Sequence, residues 1–145
     1  MKSEKTLSIN QNIKSTSLII AVDFDGTIVE HRYPAIGRTR HFAFEALKAL
    51  EAKDHRLILW SHRDGEELEK AVSFCRDHGF EFYAVNKNFP EEKWNEDDSR
   101  KIQADIYTDD RNLGGIPSWC EIYQMICPEE DMTTNATRSW WKRGK

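Results

Sequence analysis

The stretch Leu18-Ile19-Ile20-Ala21-Val22-Asp23-Phe24-Asp25-Gly26-Thr27 decides the fold of this chain. Its first five residues form an uninterrupted apolar run, which is typical of a β-strand buried on both faces. Asp23 and Asp25 lie two residues apart at the end of that run, so they project to the same side if the strand geometry persists. Two like charges beside a buried sheet are costly unless a cation or a reaction uses them. Because Gly26 also allows a sharp turn there, the stretch predicts a metal-assisted reaction on an anionic substrate.

Strand and helix signals alternate after this stretch. Residues 30–38 hold Pro34 and Gly37, and we expect them to leave the sheet as a short hairpin or flap. Thr39 is placed to cap a helix whose apolar residues recur at helical spacing. This helix is expected to end near Asp54, and the chain then returns to the sheet.

The same alternation continues through the middle of the chain. Residues 56–60 predict a second strand, and Asp64 followed by Glu67 has the spacing of a capping box at the start of the next helix. Gly79 is a natural stop for that helix. Residues 80–85 then predict a third strand.

The last third of the chain is less regular. Residues 86–101 are polar, and we expect a loop with a short helix there. A short fourth strand is predicted over 105–108, and Pro117 suits the first turn of a final helix. Strands that alternate with helices of this length imply right-handed βαβ units and a parallel sheet. The predicted fold class is therefore α/β.

Composition limits the kind of protein. The chain has 145 residues, which is enough for one domain with a real core and few for two. It is 39% hydrophobic and 32% charged, as a soluble globular protein would be. The net charge of −4 argues against a nucleic-acid partner bound by bulk charge. We therefore predict no nucleic-acid partner. The longest apolar run is too short to span a bilayer, so we predict no membrane association either.

The ends of the chain are expected to lie outside the core. We predict a flexible leader over 1–17, a core domain over 18–127 and a polar tail over 128–145, in which Trp140-Trp141 has no assigned role. The first residues are polar and lack the apolar core of a signal peptide. Three cysteines without a CxxC pair do not suggest a disulfide framework, which favours a cytoplasmic location.

The ends of the predicted strands carry the chemistry. In a parallel α/β sheet the ligand binds outside the carboxyl ends of the strands. Five polar residues lie at or just beyond those ends: Asp23, Asp25, Ser61, Asp109 and Asp110. Carboxylates are the ligands that a small hard cation such as Mg²⁺ prefers, and no His/Cys cluster has zinc spacing. We therefore expect Mg²⁺ to bind where the ends of these strands meet.

Such a set can support phosphoryl transfer. One carboxylate can attack phosphorus while a metal neutralises charge, and a second acid can protonate the leaving oxygen and then activate water. Ser61 is placed to bind a phosphoryl oxygen through its hydroxyl and backbone N–H, and Lys101 to supply positive charge. Arg32 and Arg63 can each bind a distal phosphate or carboxylate of the substrate, with a surface salt bridge as the equal alternative.

Four motifs in order resemble those of the haloacid dehalogenase superfamily of phosphohydrolases. The DxDGT motif matches residues 23–27, and a serine after an apolar strand matches Ser61. A lysine matches Lys101, and an acidic pair after a short strand matches Asp109-Asp110. The resemblance covers residues 18–115 and implies a three-layer Rossmann-like fold with a mostly parallel central sheet.

The resemblance also implies a role for each residue. Asp23 is then the nucleophile that forms an aspartyl-phosphate, and Asp25 is the acid/base. Mg²⁺ is held by Asp23, the Asp25 carbonyl and Asp109, with Asp110 assisting directly or through water. The residues expected to contact the substrate are Gly26, Thr27, Ser61, His62 and Arg63.

The chain departs from the family pattern near its third motif. Ile102 follows Lys101 where the family usually has Pro, so Lys87 and Lys93 remain alternatives for the motif lysine. The segments in which the family inserts a cap domain are short here, which implies a small capless member. We expect an open site, unless a partner subunit of a homo-oligomer closes it, and a phosphorylated small molecule as substrate, for instance a sugar phosphate or a nucleotide.

Other functions remain possible at this stage. An acidic pair at a strand end is often only a turn or a helix cap. A phosphoacceptor receiver domain uses similar acids, but it places them in the reverse order and leaves Gly26-Thr27 unexplained. A non-catalytic domain of the same fold and a glycosyltransferase with a DxD metal site are the remaining alternatives.

Overall fold

Four parallel strands form one sheet in the order β3-β2-β1-β4. They are β1 (Ile19–Val22), β2 (Arg56–Leu59), β3 (Ala84–Val85) and β4 (Ile106–Thr108). The structure is a computed structural model and describes residues 17–129. The predicted α/β fold with a parallel central sheet is confirmed.

Within residues 17–129, three helices cover one face of this sheet. They are α1 (Ala43–Ala52), α2 (Gly65–Asp77) and α3 (Trp119–Ile126). All three contribute to one buried cluster with the inward residues of β1 and β2. Side chains alternate along a strand, so Ala21 and Ile58 face the other side of the sheet and form a smaller cluster with Ala84 and Ile102.

The second face is covered by an irregular segment, residues 86–105. A right-handed crossover from β3 to β4 passes over the face opposite to α1 and α2, and this segment is that crossover. The short helix predicted within it is absent from the described chain. Side chains bond neighbouring backbone groups instead, for example Asn95 Oδ1 accepting from the Asp97 N–H at 2.9 Å, and such bonds compete with a helix. The third layer of the predicted three-layer fold is therefore this segment.

Several element boundaries differ from the sequence prediction. Thr39 does not cap α1, because it pairs with Val29 in an isolated antiparallel bridge, and the N-cap is Phe42. The third strand is shorter than predicted. Phe80 and Phe82 leave the ladder and pack edge to face, with ring centroids 4.9 Å apart, in the core under the helices.

The capping boxes also differ from prediction. Asp64 is the N-cap of α2, but its side chain accepts no capping hydrogen bond, so the box predicted with Glu67 does not form. A complete capping box closes the start of α3 between Ser118 and Glu121. Pro117 therefore lies just before that helix rather than in its first turn.

The predicted flap follows the stretch that holds Asp23 and Asp25 and leaves the sheet there. The backbone N–H of Glu30 donates to the Arg38 carbonyl at 2.7 Å, and this closes the base of residues 30–38. A Cβ on Gly37 would lie 2.0 Å from the Glu30 carbonyl oxygen, so only glycine fits there. The flap prediction is confirmed.

The predicted leader and tail fall almost entirely outside the described residues, and so does Trp140-Trp141. Between residues 17 and 129, no helix has both the length and the apolar character needed to cross a membrane.

Candidate active site

A cavity of about 560 Å³, which we call the acid cavity, lies at the carboxyl ends of β1, β2 and β4. Its walls come from the residues that follow these strands and from the flap: Asp23, Asp25, His31, Tyr33, Ser61, His62, Arg63, Asp109 and Arg111. No aliphatic side chain lines it, so it suits a polar ligand. A volume of this size is typical of small-molecule sites.

Three carboxylates converge beside this cavity. Asp23, Asp109 and Asp110 each offer an oxygen atom, and these atoms lie within 4.8 Å of one another. The backbone N–H of Asp23 donates to the Thr108 carbonyl at 3.0 Å, which ties the end of β1 to the end of β4. Three half-buried carboxylates at this spacing fit a hard divalent cation such as Mg²⁺.

The electrostatics of this cluster favour a bound cation. Burial, the largest cause, and the charges of Asp109 and Asp110 raise the pKa of Asp23 to about 8, while a hydrogen bond with the Phe24 backbone opposes the rise. No cation of the described residues is among the groups that shift this pKa. The ionised form of Asp23 is therefore disfavoured at neutral pH, and a cation bound at the cluster would stabilise it.

Gly26 makes room for one of the acids. Its φ is +86°, in the region that favours glycine, and a Cβ there would lie 2.1 Å from Asp110 Oδ2. Any other residue would push Asp110 away from the cluster. Gly26 thus has a clear structural role next to the acids, whether or not it also contacts the substrate.

Thr27 forms hydrogen bonds with two of the three acids. Its hydroxyl donates to Asp23 Oδ2 at 3.3 Å and accepts from the Asp110 backbone N–H at 3.1 Å. Its carbonyl accepts from Trp119 Nε1 at 2.9 Å, which anchors the turn to α3. The side chain is fully buried, so its role in this structure is to hold the acids, and contact between Thr27 and the substrate stays a prediction.

Asp25 lies outside the acid cluster and is paired with Arg63. The Nε and Nη2 atoms of Arg63 donate to the two Asp25 carboxylate oxygens at 2.7 and 2.8 Å. The other donors of this guanidinium bind backbone carbonyls, and the side chain is 1% exposed. The structure therefore shows Arg63 in a salt bridge, one of the two roles left open for it, although a buried one rather than one at the surface. Its N–H donors are all engaged, and contact between Arg63 and the substrate stays a prediction. Coordination of a metal by the Asp25 carbonyl stays a prediction.

Ser61 is positioned by a residue that the sequence analysis missed. Its backbone N–H donates to Asn86 Oδ1 at 2.8 Å, so this N–H is already bonded, contrary to the prediction that it binds a phosphoryl oxygen. Its Oγ accepts from the Arg63 backbone N–H at 3.1 Å, which leaves the hydroxyl hydrogen for a ligand. Asn86 follows β3 with a φ of 54°, and an asparagine directly after a predicted strand was the available signal. His62 lines the cavity and is exposed.

Lys101 lines a different cavity. Its Nζ lies 4.8 Å from the centre of the Tyr107 ring, and it borders a second cavity of about 490 Å³ beside the segment 86–105. The alternatives Lys87 and Lys93 do not line the acid cavity either. The predicted role of Lys101 beside Asp23 therefore has no support in this geometry.

Arg111 is a cation that the sequence analysis did not single out. Its backbone N–H donates to Asp109 Oδ1 at 2.8 Å, which fixes the start of its side chain beside the acid cluster. It lines the acid cavity, is exposed, and its guanidinium has no hydrogen bond or ion pair with the rest of residues 17–129. An arginine directly after the acidic pair was the signal for it.

Comparisons with known proteins add one relative. No family model matches the chain, and no curated protein matches it. The solved structure of a conserved protein coded by a locus of Bacteroides thetaiotaomicron is similar, with 56% sequence identity and a TM-score of 0.74. The match covers 81% of this chain and 95% of the Bacteroides chain.

Proposed function

We propose that this chain, which belongs to the same family as the conserved Bacteroides thetaiotaomicron protein, is a Mg²⁺-dependent phosphomonoester hydrolase of the haloacid dehalogenase type. The observation that carries the proposal is the convergence of Asp23, Asp109 and Asp110 within 4.8 Å beside a polar cavity. The order of the DxDGT, serine and acidic-pair motifs along the chain supports the same reaction.

The proposed reaction has two halves. An oxygen of Asp23 attacks phosphorus, the bond from phosphorus to the leaving oxygen breaks, and that oxygen takes a proton from Asp25. Water then attacks phosphorus of the aspartyl-phosphate, the bond from phosphorus to the Asp23 oxygen breaks, and orthophosphate leaves. Asp25 takes a proton from the attacking water, which restores its acid form. When bound by Asp23, Asp109 and Asp110, Mg²⁺ supplies positive charge to the phosphoryl oxygens.

The pairing of Asp25 with Arg63 is compatible with these roles. A carboxylate offers about four lone pairs, and the two hydrogen bonds with Arg63 use one on each oxygen. Asp25 also lines the cavity, so its remaining lone pairs are the ones that exchange a proton with the leaving oxygen or with water.

The substrate side of the proposal uses the other walls of the cavity. The Ser61 hydroxyl donates to a phosphoryl oxygen, and Arg111 supplies the protein's own cation because it lines the cavity and Lys101 does not. His31, Tyr33 and His62 face the leaving group. Their polar character suits a small phosphorylated metabolite, such as a sugar phosphate or a nucleotide. A cytoplasmic location and a homo-oligomer remain predictions.

The test is hydrolysis of phosphomonoesters by the purified protein. We expect Mg²⁺-dependent release of orthophosphate from 4-nitrophenyl phosphate and, more rapidly, from members of a panel of sugar phosphates and nucleotides. Thorough chelation of divalent metal should stop the reaction. Turnover that survives chelation would contradict the metal requirement, and absence of turnover across the panel would contradict the hydrolase.

A phosphoacceptor domain is the second candidate, and the Asp25–Arg63 pair is the observation that favours it. If the pair keeps Asp25 from activating water, the aspartyl-phosphate would be long-lived. The lifetime of the phosphoenzyme, measured after labelling with acetyl phosphate and quenching in acid, separates the two. A hydrolase loses the label within its turnover time, whereas a phosphoacceptor keeps it far longer.

A further inference from the structure

Arg63 connects two parts of the molecule that the proposed reaction needs. It binds both oxygens of Asp25 in a bidentate pair, the geometry in which arginine fixes a carboxylate most firmly. The same guanidinium donates to two flap carbonyls, from Nη1 to Pro34 at 3.3 Å and from Nη2 to Ala35 at 3.0 Å. The flap and Asp25 are therefore held by one side chain.

Ring contacts and hydrogen bonds on several sides hold the Arg63 guanidinium in one orientation. Its Cζ lies 5.1 Å from the centre of the Phe24 ring and 5.0 Å from that of Tyr33. Nη1 also donates to the Glu67 carbonyl in α2 at 3.3 Å. The hydrogen bond with Asp25 raises the pKa of Arg63, while burial opposes the rise. A buried cation with every donor engaged cannot turn without leaving several groups unpaired.

The position of Asp25 depends on this arrangement. Its side chain is 12% exposed, and no other side chain of residues 17–129 donates a hydrogen bond to its carboxylate. We propose that Arg63 is a positioning residue, which fixes the direction in which Asp25 faces the leaving oxygen and the attacking water and ties that direction to the flap. This inference rests on the proposed hydrolase activity.

A double-mutant cycle separates positioning from a general structural role. If Arg63 acts through Asp25, its loss has no further effect on kcat once Asp25 is already inactive. We would measure kcat and KM for 4-nitrophenyl phosphate in Arg63→Met, Asp25→Asn and the double variant. Methionine keeps much of the volume of the side chain, and the double variant leaves no buried charge unpaired.

The expected result is a loss of about 10²-fold in kcat for Arg63→Met, the scale of a misplaced general acid–base group. The double variant should have the kcat of Asp25→Asn alone. Losses that multiply in the double variant would overturn the positioning role. Arg76→Met is the matched control, because Arg76 is a surface arginine of α2 paired with Glu81 at 3.2 Å, and its kcat should match that of the wild type.

Chemical rescue supplies a second readout. Arg63→Ala leaves a space beside Asp25 that free guanidinium ion can fill, so millimolar guanidinium should raise its kcat severalfold and leave Asp25→Asn unchanged. Arg63→Lys should stay impaired, since an ammonium cannot form two parallel hydrogen bonds with a carboxylate. Equal activity of Arg63→Lys and the wild type would also overturn the proposal. If Arg63→Ala does not fold, the cycle with methionine decides.

The link to the flap has its own measurement. The Glu30 amide, which closes the base of the flap, should exchange with solvent several times faster in Arg63→Met than in Arg76→Met. Equal exchange would overturn this part. Absence of turnover in the wild type would overturn the hydrolase and the positioning role together, whereas wild-type turnover with multiplying losses would overturn the positioning role alone.

Discussion

The acid cavity and the cavity beside Lys101 differ in what holds their walls. The acid cavity is built from the flap and from residues directly after strands, and backbone hydrogen bonds join those strand ends, such as the Trp60 N–H to the Val22 carbonyl at 2.8 Å. The Lys101 cavity is built mainly on the segment 86–105, which is held by side-chain bonds such as Asn88 Nδ2 to Glu92 Oε2 at 2.9 Å. The sheet thus fixes the three acids at its edge, while the long irregular segment does not bring Lys101 there.

The largest expected effect tests whether the strand-end acids are the reactive ones. Asp23→Asn should lower kcat by at least about 10⁴-fold, as loss of a nucleophile does. The matched control is Asp97→Asn in the segment 86–105, whose exposed side chain lies away from the acid cavity and should leave kcat as it is. Circular dichroism should show the same fold for both. Wild-type turnover in Asp23→Asn would contradict the assignment of the nucleophile.

The next prediction tests which cavity supplies the positively charged side chain that contacts the phosphoryl group. Arg111→Gln should lower kcat/KM by about 10²-fold, the scale of one lost electrostatic contact to the transition state. Lys101→Gln should retain most of the activity, because Lys101 contacts Tyr107 in the other cavity. Steady-state kinetics on 4-nitrophenyl phosphate measure both. The reverse order of effects would mean that the segment 86–105 reaches the acids after all.

A smaller effect tests whether the lack of a side chain at Gly26 keeps Asp110 in place beside the other acids. Gly26→Ala should weaken Mg²⁺ binding by roughly tenfold, an estimate that takes a modest displacement of one ligand as about 1.4 kcal/mol. Gly114→Ala is the matched control: its φ of +89° carries the same backbone cost of about 1–2 kcal/mol, but a Cβ there meets nothing within 4 Å. Calorimetric titration with Mg²⁺ compares the two variants. Equal affinities would show that Asp110 moves aside without consequence.

The last prediction concerns a pH dependence of stability in the metal-free protein. The folded state raises the pKa of Asp23 from an ordinary value of 3.8 to about 8. The folded state therefore binds more protons than the unfolded state between these values, and stability falls as pH rises through this window. In EDTA, Tm should fall from pH 5 to pH 8 by several degrees more in the wild type than in Asp23→Asn. The same slope in both would contradict a raised pKa at Asp23.

The sequence predicted those parts of the site that depend on strand ends. Asp23, Asp109 and Asp110 follow β1 and β4, and parallel strands bring their carboxyl ends to one edge, so order along the chain was enough to predict their convergence. Ser61 follows β2 and lines the same cavity for the same reason.

Other features depend on tertiary contacts that no local pattern encodes. The pairing of Arg63 with Asp25 joins residues 38 positions apart, and the hydrogen bond from Trp119 in α3 to the Thr27 carbonyl joins residues 92 positions apart. Thr39 has a good capping side chain, yet pairing with Val29 takes its backbone out of reach of the helix start. Tertiary contacts overrode local preference in each case.

The segment 86–105 is a part of the molecule where residues can be inserted without disturbing the sheet. It meets the second face of the sheet mainly through Ile102 and Ala104, and its middle residues, 95–98, are exposed and bonded to one another. Extra residues inserted there would extend into solvent without altering the register of β1 with β4, which sets the acids. The fold can therefore acquire a new cover or a new partner surface at this point while the three acids at the sheet edge keep their positions.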